Sequence, residues 1–259
     1  MTGEKKQTKK EAKQNKLLGQ AYYNAKRPSA YGGVQALKRT TKLKQSAVKH
    51  WLSYQDAYTL HKPTRRMFSR RRVVVGGIDH QWQADLIDVQ ILKRDSDGYS
   101  YLLSVIDVLS KYAWVVAPKN KSGPTLVMAF RQIFAEGRMS LRLQTDKGAE
   151  FLNRTFQRFL KEAGVEFFVT QNEDIKASVV ERFNRTLKEK LWRYFTRRNT
   201  IRCIEVLPEL VYSHNHSYHR SIKRTPTEVN ISKQEDVWQA LYGQPLKQES
   251  IGKPLKPGD

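Results

Sequence analysis

The hydrophobic period changes near Trp82, and this change constrains the fold more than any other feature of the chain. Between residues 17 and 60, apolar side chains recur every three or four positions, which predicts short helices. From Trp82 the pattern becomes that of three short strands, two of them joined by a turn at Asp97-Gly98. A helix, a strand, a helix and a strand follow. This order predicts an α/β fold with a five-stranded mixed sheet flanked by helices.

The pattern also predicts bounds for these elements. The strands are expected over 82–92, 101–107, 112–118, 141–145 and 165–169. One helix is expected around 126–134, capped by Ser122 or Thr125, and a second around 151–160. A long helix is expected over about 179–197, with further helices over 204–214 and from Thr225.

Positive charge is concentrated in the first quarter of the chain. The sequence has 47 lysines and arginines against 25 acidic residues, and residues 1–72 hold 19 of the former against three of the latter. This density is typical of proteins that bind a polyanion, with nucleic acid as the leading candidate. Residues 1–16 have scarcely an apolar side chain, so we expect a disordered basic tail, for which nuclear import is another use.

Residues 17–64 are predicted to form a small helical module. A helix over 34–38 and a second one capped by Ser46 would resemble a helix-turn-helix. Lys42, Lys44 and Lys49 around the second helix favour DNA contact, although a plain packing appendage is the alternative. A basic linker, residues 65–78, would follow this module and bind phosphates of the DNA backbone. Its predicted DNA contacts are Arg70, Arg71 and Arg72.

Several classes of protein are excluded by composition. The single cysteine, Cys203, excludes an intramolecular disulfide framework and a zinc site built on paired cysteines. No apolar run is long enough for a membrane span, and the polar N-terminus lacks the apolar stretch of a secretory signal. We therefore expect a protein that acts inside a cell and does not engage a membrane.

Three acidic residues in separate local contexts are candidates for one metal site. Asp85 ends the segment Trp-Gln-Ala-Asp, Asp146 lies in Gln-Thr-Asp-Lys-Gly, and Glu181 lies in Val-Val-Glu-Arg-Phe-Asn. In a strongly basic chain, these carboxylates would form a negatively charged cluster suited to a hard divalent cation. Asp88 is excluded from this site because strand positions 85 and 88 face opposite sides. Asp107 is a weaker candidate ligand.

Three histidines lie close together near residue 215. His214, His216 and His219 follow one another within six positions, as metal ligands sometimes do. No carboxylate accompanies them in this segment. A structural role or a contact with the DNA backbone is therefore the favoured interpretation.

Four motifs in order resemble the catalytic core of the retroviral-type DDE integrases. They are Trp-Gln-Ala-Asp ending at Asp85, Val-Ile-Asp-Val-Leu-Ser-Lys-Tyr from Val105, Leu-Gln-Thr-Asp-Lys-Gly from Leu143, and Val-Glu-Arg-Phe-Asn-Arg-Thr-Leu-Lys from Val180. Asp146 and Glu181 are separated by 34 residues, close to the usual spacing of that family. The segment over 54–63 and the arginine block resemble integrases of the Maverick or Polinton transposons more than retroviral ones.

The resemblance implies an RNase H-like core over 79–232, followed by a C-terminal helix and tail over 233–259. It also implies two Mg²⁺ ions, for which Mn²⁺ can substitute. Asp85 would bridge both ions, Asp146 would complete one site, and Glu181 would complete the other. Lys147 departs from the residue usual after the second aspartate, and we count it among the DNA contacts.

Helix spacing adds two more candidate DNA contacts. Arg185 and Lys188 fall four and seven positions after Glu181, on the same helix face. Basic side chains at that place would hold a DNA end beside the metal site, although an ordinary solvated helix face is the alternative.

The expected function is that of a DNA integrase or transposase. It would cleave element ends with water and then join the freed 3′-hydroxyl to target DNA. Its partners would be double-stranded DNA and at least one further copy of itself, in the nucleus of a eukaryotic host. The alternatives are a DNA-binding relative that has lost its chemistry, and a nuclease of the ribonuclease H type.

Overall fold

A five-stranded mixed sheet forms the centre of the protein. The computed structural model describes residues 2–61, 73–169 and 177–243, with the backbone alone for residues 2–10. The strands are β1 (Gln81–Asp88), β2 (Tyr101–Asp107), β3 (Ala113–Val116), β4 (Arg142–Thr145) and β5 (Glu166–Val169). Their order across the sheet is β3-β2-β1-β4-β5. The first three are antiparallel neighbours, and β4 pairs in parallel with both β1 and β5. The predicted fold class is confirmed.

Helices precede the sheet, cover it and follow it. The first four α-helices are α1 (Thr2–Tyr23), α2 (Val34–Thr41), α3 (Gln45–Ser53) and α4 (Asp56–Thr59). Those within and after the sheet are α5 (Gly123–Phe134), α6 (Arg154–Glu162), α7 (Ser178–Arg198), α8 (Leu207–Asn215) and α9 (Gln234–Tyr242). Across the described ranges, none of the helices combines the length and the apolar character that spanning a bilayer requires.

The two faces of the sheet are buried by different helices. Side chains alternate along a strand, so neighbours in β2 point to opposite faces. Leu103 and Val105 pack with α5 and α6 in one buried cluster. Leu102 and Ile106 pack with α7 and α8 in another. Each face therefore has its own core, and α7 lies on the side toward which the odd-numbered positions of β1 point.

A buried ion pair fixes the end of β2. Asp107 is fully buried and accepts hydrogen bonds from Ser110 and, at 3.0 Å, from Arg138 Nη2. Arg138 also contacts Asp79 at 2.6 Å, and its guanidinium lies over the ring of Trp114. Burial raises the pKa of Asp107, while Ser110 and Arg138 oppose that shift. Asp107 thus supports the strand end, and no metal-binding role is needed to explain it.

The N-terminal helices pack directly on α7. Tyr22 and Tyr31 are fully buried in the cluster that contains the apolar side of α7. Arg193 Nη1 donates to the Tyr31 carbonyl oxygen at 2.6 Å, and Arg197 lies over the ring of Tyr23. The described part of the predicted module, residues 17–61, is therefore packed against the rest of the molecule. Lys42, Lys44 and Lys49 stay exposed on it, so their DNA contacts remain predictions.

Three local expectations were wrong. Helix α1 begins at Thr2, where a disordered tail over 1–16 was expected. The lysines, glutamines and alanines of this stretch are good helix formers, and they extend a helix whose last turns are buried. The residue that caps α3 is Lys44, not Ser46. Strand β1 ends at Asp88 instead of continuing to Leu92, because residues 90–95 form a 3-10 helix. The domain boundaries as such remain predictions.

Candidate active site

Asp85 lies on the middle strand and faces α7. Its backbone pairs with Ser104 of β2, and its Oδ2 accepts a hydrogen bond from Asn184 Nδ2 of α7 at 2.7 Å. Its Oδ1 accepts from the Leu86 amide at 2.8 Å. Burial raises the pKa of Asp85, and the charge of Asp146 raises it further, while Lys188 acts in the opposite direction. The half-buried carboxylate of Asp85 therefore lies near a second carboxylate, that of Asp146.

Three buried glutamines hold the strands and α7 in register. Gln144 Oε1 accepts from Gln81 Nε2 at 2.7 Å and from Gln83 Nε2 at 2.8 Å, which joins β4 to β1. Gln83 Oε1 accepts from the amides of Val179 and Val180, at 2.9 and 3.1 Å. It thereby satisfies amide groups at the start of α7 that have no partner within the helix. The carboxamides therefore position the helix that carries Glu181.

Asp146 follows β4 directly, level with Asp85. The parallel register pairs Gln83 with Gln144, and two further steps along both strands lead to Asp85 and Asp146. Asp146 is exposed, and its Oδ1 accepts from the Gly148 amide at 3.1 Å. A Cβ on Gly148 would lie 3.1 Å from Asp146 Oδ1 and 2.9 Å from Glu150 Cδ. Glycine at 148 therefore lets the loop pass close to both carboxylates.

Glu181 lies in the first turn of α7 and shares a cleft with Asp85. This carboxylate cleft has a volume of about 430 Å³ and is also lined by Asn184, Arg185 and Lys188. The structure thus pairs Asp85 with Asp146 and places Glu181 on the same cleft as Asp85. Within the described ranges, no three side chains of His, Cys, Asp or Glu are gathered closely enough to hold an ion.

The donor chemistry of the cleft suits a hard cation. Asp85 and Glu181 bring carboxylate oxygens to the cleft from β1 and α7, and Asp146 adds its own beside Asp85 from the end of β4. Such oxygens are the ligands that Mg²⁺ prefers. Asn184 Oδ1 is buried and finds no hydrogen-bond partner among the described residues. A buried acceptor without a donor is costly and is a reasonable place for an ion or its water. Asp85, Asp146 and Glu181 are the residues that would hold the metal.

The position of Asp88 differs from the one predicted from the sequence. The sequence analysis excluded it from the site of Asp85, yet both residues line the carboxylate cleft. Asp88 is the last residue of β1, where the strict alternation of the strand ends. Its carboxylate accepts from the amide and the side chain of Gln90, both at 2.8 Å. It therefore lies at the rim of the cleft.

Four other predicted DNA contacts, Lys147, Lys42, Lys44 and Lys49, do not line this cleft. Lys147 is exposed beside Asp146, outside the lining of the cleft. Lys42 is the C-terminal cap of α2, Lys44 is the N-terminal cap of α3, and Lys49 lies within α3. The predicted contacts in the linker, Arg70, Arg71 and Arg72, lie outside the described residues.

The histidines near residue 215 have separate surroundings. His214 Nε2 lies 3.1 Å from the Lys111 carbonyl oxygen, and its ring meets Phe183 edge-on. His216 Nδ1 lies 2.9 Å from the Tyr212 carbonyl oxygen, and its ring stacks on that of Tyr212. Neither contact involves a carboxylate. This agrees with a structural role for His214 and His216.

Sequence reasoning assigned no role to Asn184, Gln83 or Gln144. All three stand inside the quoted motifs, and their positions give a usable signal. Gln83 precedes Asp85 by two residues and so shares its strand face, as Gln144 does with Asp146. Asn184 follows Glu181 by three residues and shares its helix face.

Comparison with known proteins gives an independent line of support. Residues 78–174 match the family described as Integrase core domain. A transposon-derived protein of Caenorhabditis elegans is 36% identical over 138 residues, which are 53% of this chain and 48% of that protein. The Pro-Pol polyprotein of Simian foamy virus type 1 is 29% identical over 135 residues, 52% of this chain and 12% of the polyprotein. The chain thus spans about half the length of the nematode protein. These similarities support an integrase-type core in this chain.

Solved structures agree in fold. A chain of the simian T-cell lymphotropic virus intasome is 18% identical, with a TM-score of 0.56 over 86% of this chain and 74% of that one. The HTLV-2 integrase catalytic core domain, solved in complex with magnesium in a trimeric form, is 20% identical, with a TM-score of 0.50 over 61% of this chain and 99% of that one. Identity this low shows the fold alone. It confirms the expected RNase H-like arrangement of sheet and helices.

Proposed function

We propose that this protein is a polynucleotidyl transferase that cleaves the ends of a mobile DNA element and joins them to target DNA. One observation carries the proposal. Asp85, half-buried on the middle strand, lies beside Asp146 and is hydrogen-bonded to α7, which bears Glu181 in its first turn. The segment over 54–63 and the arginine block further support a Maverick or Polinton type, and the nucleus of a eukaryotic host is the proposed place of action.

Divalent metal, two Mg²⁺ ions in our proposal, would stabilise the attacking and leaving oxygens at phosphorus. The magnesium in the HTLV-2 core structure supports this choice of ion. The chain's own residues position the reactants. Asp85, Asp146 and Glu181 supply negative oxygens for the metal, and Arg185 and Lys188 hold the phosphates of the DNA end in the same cleft. Both chemical steps are in-line displacements, so positioning and charge stabilisation suffice.

Two DNA ends must be joined in one event, so we propose that the protein acts as at least a dimer on double-stranded DNA. The intasome among the similar structures supports an assembly of this kind.

A joining assay tests the function directly. A branched duplex that mimics the joined product should be resolved by the reverse reaction, which does not require the terminal sequence of the element. We expect resolution in Mg²⁺ or Mn²⁺ and none in EDTA, together with uptake of Mn²⁺ in calorimetry. Metal uptake without resolution of the branch, and with cleavage of RNA in an RNA–DNA hybrid, would assign the nuclease alternative. Absence of both metal uptake and DNA chemistry would leave only a DNA-binding protein.

Asn184 is a positioning residue, and its loss should lower the affinity of the site for metal. Asn184→Ala removes the amide that orients Asp85, and partners of metal ligands typically contribute about 10- to 100-fold to affinity or activity. We expect Mn²⁺ affinity and joining to fall together by that factor. The free energy of unfolding should fall by about 1.5 to 3 kcal/mol, because the variant loses a hydrogen bond to a half-buried carboxylate. Unchanged Mn²⁺ affinity would contradict the assignment.

A further inference from the structure

A second cleft lies along another side of α7 and is lined by basic residues. It has a volume of about 1040 Å³, more than twice that of the carboxylate cleft. None of the described residues that line it is acidic. Its five lysines and arginines come from three places in the chain: the β2–β3 turn, α7, and the segment after α8. They are Lys111, Arg182, Lys190, Arg220 and Lys223.

Lys190 is the most informative of these cations because it is buried. Its side chain sits on α7, and its Nζ donates to Ser213 Oγ at 2.9 Å. That hydroxyl in turn donates to the Arg27 carbonyl oxygen at 2.8 Å. Among the described residues, no carboxylate forms an ion pair with Lys190, and the neighbouring Glu189 pairs with Arg193 instead. A buried cation with neutral partners alone is costly, so an anion from outside would compensate it.

The backbone conformation of Lys111 and Lys223 is a second unfavourable feature of the basic cleft. Both have positive φ angles, 61° and 54°, a backbone conformation that favours glycine. Lys111 Nζ donates to the Val108 carbonyl oxygen at 2.6 Å, and burial lowers its pKa to about 8 although the charge of Asp107 opposes that shift. Strained backbone that carries functional side chains is common at binding sites. Two long cationic side chains are here held toward one cleft despite an unfavourable local conformation.

The charges in the cleft repel one another. Burial, together with the positive charge of Arg193, lowers the pKa of Lys190 to about 8. Burial, together with the charges of Lys111, Arg182 and Arg220, lowers the pKa of His219 to about 4. His219 Nδ1 also lacks a hydrogen-bond partner among the described residues. A bound anion would relieve the repulsion.

We propose that this basic cleft binds the phosphate groups of a DNA strand, separately from the strand held in the carboxylate cleft. The choice of DNA rests on the proposed function. Phosphate is favoured over a single carboxylate because cations converge from several elements, and phosphates present several acceptor oxygens each. Side chains of α7 reach both clefts: Glu181 and Arg185 line one, while Arg182 and Thr186 line the other. One helix would therefore separate two DNA segments.

The test uses the full chain and inorganic pyrophosphate as the probe, in EDTA so that no metal bridges the probe to the carboxylates. Wild-type protein should bind one pyrophosphate saturably in calorimetry. The double variant Arg220→Gln/Lys223→Gln, at exposed positions, should weaken binding about tenfold or more, because each change removes a charge-assisted contact. Lys190→Met tests the buried cation, with circular dichroism to verify the fold. The matched control is Arg154→Gln/Lys161→Gln on α6, which should bind as the wild type does.

A second measurement identifies the source of the phosphate. A fluorescent DNA duplex should be displaced in part by pyrophosphate, and the Arg220→Gln/Lys223→Gln variant should show a shallower salt dependence of DNA binding than the α6 control. Pyrophosphate binding without any competition by DNA would overturn the DNA assignment in favour of a small polyphosphate. Absence of saturable binding, or equal binding by the cleft and control variants, would overturn the site itself.

The two proposals fail in different ways. Asp85→Asn should abolish joining but leave pyrophosphate binding unchanged, because Asp85 does not line the basic cleft. Joining that proceeds in the wild type while the basic cleft binds nothing would refute this inference and leave the proposed function intact. Pyrophosphate binding with DNA competition, in a protein that joins no DNA, would refute the proposed function and leave the basic cleft as a DNA-binding site.

Discussion

Asp85→Asn is expected to reduce DNA joining by roughly 10³-fold or more, since stabilisation of charge by a bound metal contributes several kcal/mol. The fold should survive. Asp85 has a raised pKa because it is half-buried and beside Asp146, so its charged form costs stability at neutral pH. The neutral amide removes that cost while keeping the shape of the side chain. We expect a melting temperature equal to or above that of the wild type.

Matched variants extend the experiment to the other two carboxylates. Asp146→Asn and Glu181→Gln should have effects on joining of the same order as Asp85→Asn, since each is proposed to hold metal. The control is Glu162→Gln, an exposed acid of α6 paired with Arg158, which should join DNA as the wild type does. Wild-type joining by any of the three neutral variants in Mg²⁺ would remove that residue from the site.

Arg138→Met should be the most destabilising of the single changes proposed. It leaves the fully buried Asp107 without its cationic partner, and breaking a buried pair from one side costs about 3 to 5 kcal/mol. Chemical denaturation of the variant should show this loss at neutral pH. Arg142→Met provides the control, because Arg142 pairs with Glu166 on the surface and should be nearly neutral.

Acid should rescue the Arg138→Met variant in part. Burial already holds the pKa of Asp107 above its ordinary value of 3.8, and removal of Arg138 takes away an influence that lowers it. A group with a raised folded-state pKa loses stability as pH rises through that pKa. The deficit should therefore be smaller at about pH 5 than at about pH 7.5. Asp107→Asn added to Arg138→Met should recover much of the loss at pH 7.5, and a deficit insensitive to both changes would contradict the buried-pair explanation.

The sheet and its long helix could be predicted from the sequence because their signals are local. Alternating and helical periods mark β2 and α7 to within one residue at each end. The three carboxylates could be proposed as one site for the same reason, since each stands in its own motif. The close approach of Asp85 and Asp146 depends instead on the parallel register of β1 with β4, which joins segments about 60 residues apart. No period in the chain encodes that register, and the fit of Gln83 to the start of α7 is equally non-local.

Contacts of the N-terminal helices could not be predicted either. The aromatic residues before residue 60 indicate a hydrophobic face, but nothing local says what that face covers. The structure shows Tyr22 and Tyr31 buried with Phe195 of α7. Similarly, Lys190 falls at a position that a charge pattern alone would place on a solvated face, and only the packing of α8 against α7 buries it. Tertiary context decided both cases.

The shared core of α1–α4 and α7 has a consequence for how the protein folds as a whole. Leu187, Leu191 and Phe195 are covered on one side by the sheet and on the other by the N-terminal helices. A fragment that starts at the sheet would expose this apolar surface to water. A stable fragment should therefore include the N-terminal helices, and cooperative unfolding should involve these helices and the sheet together.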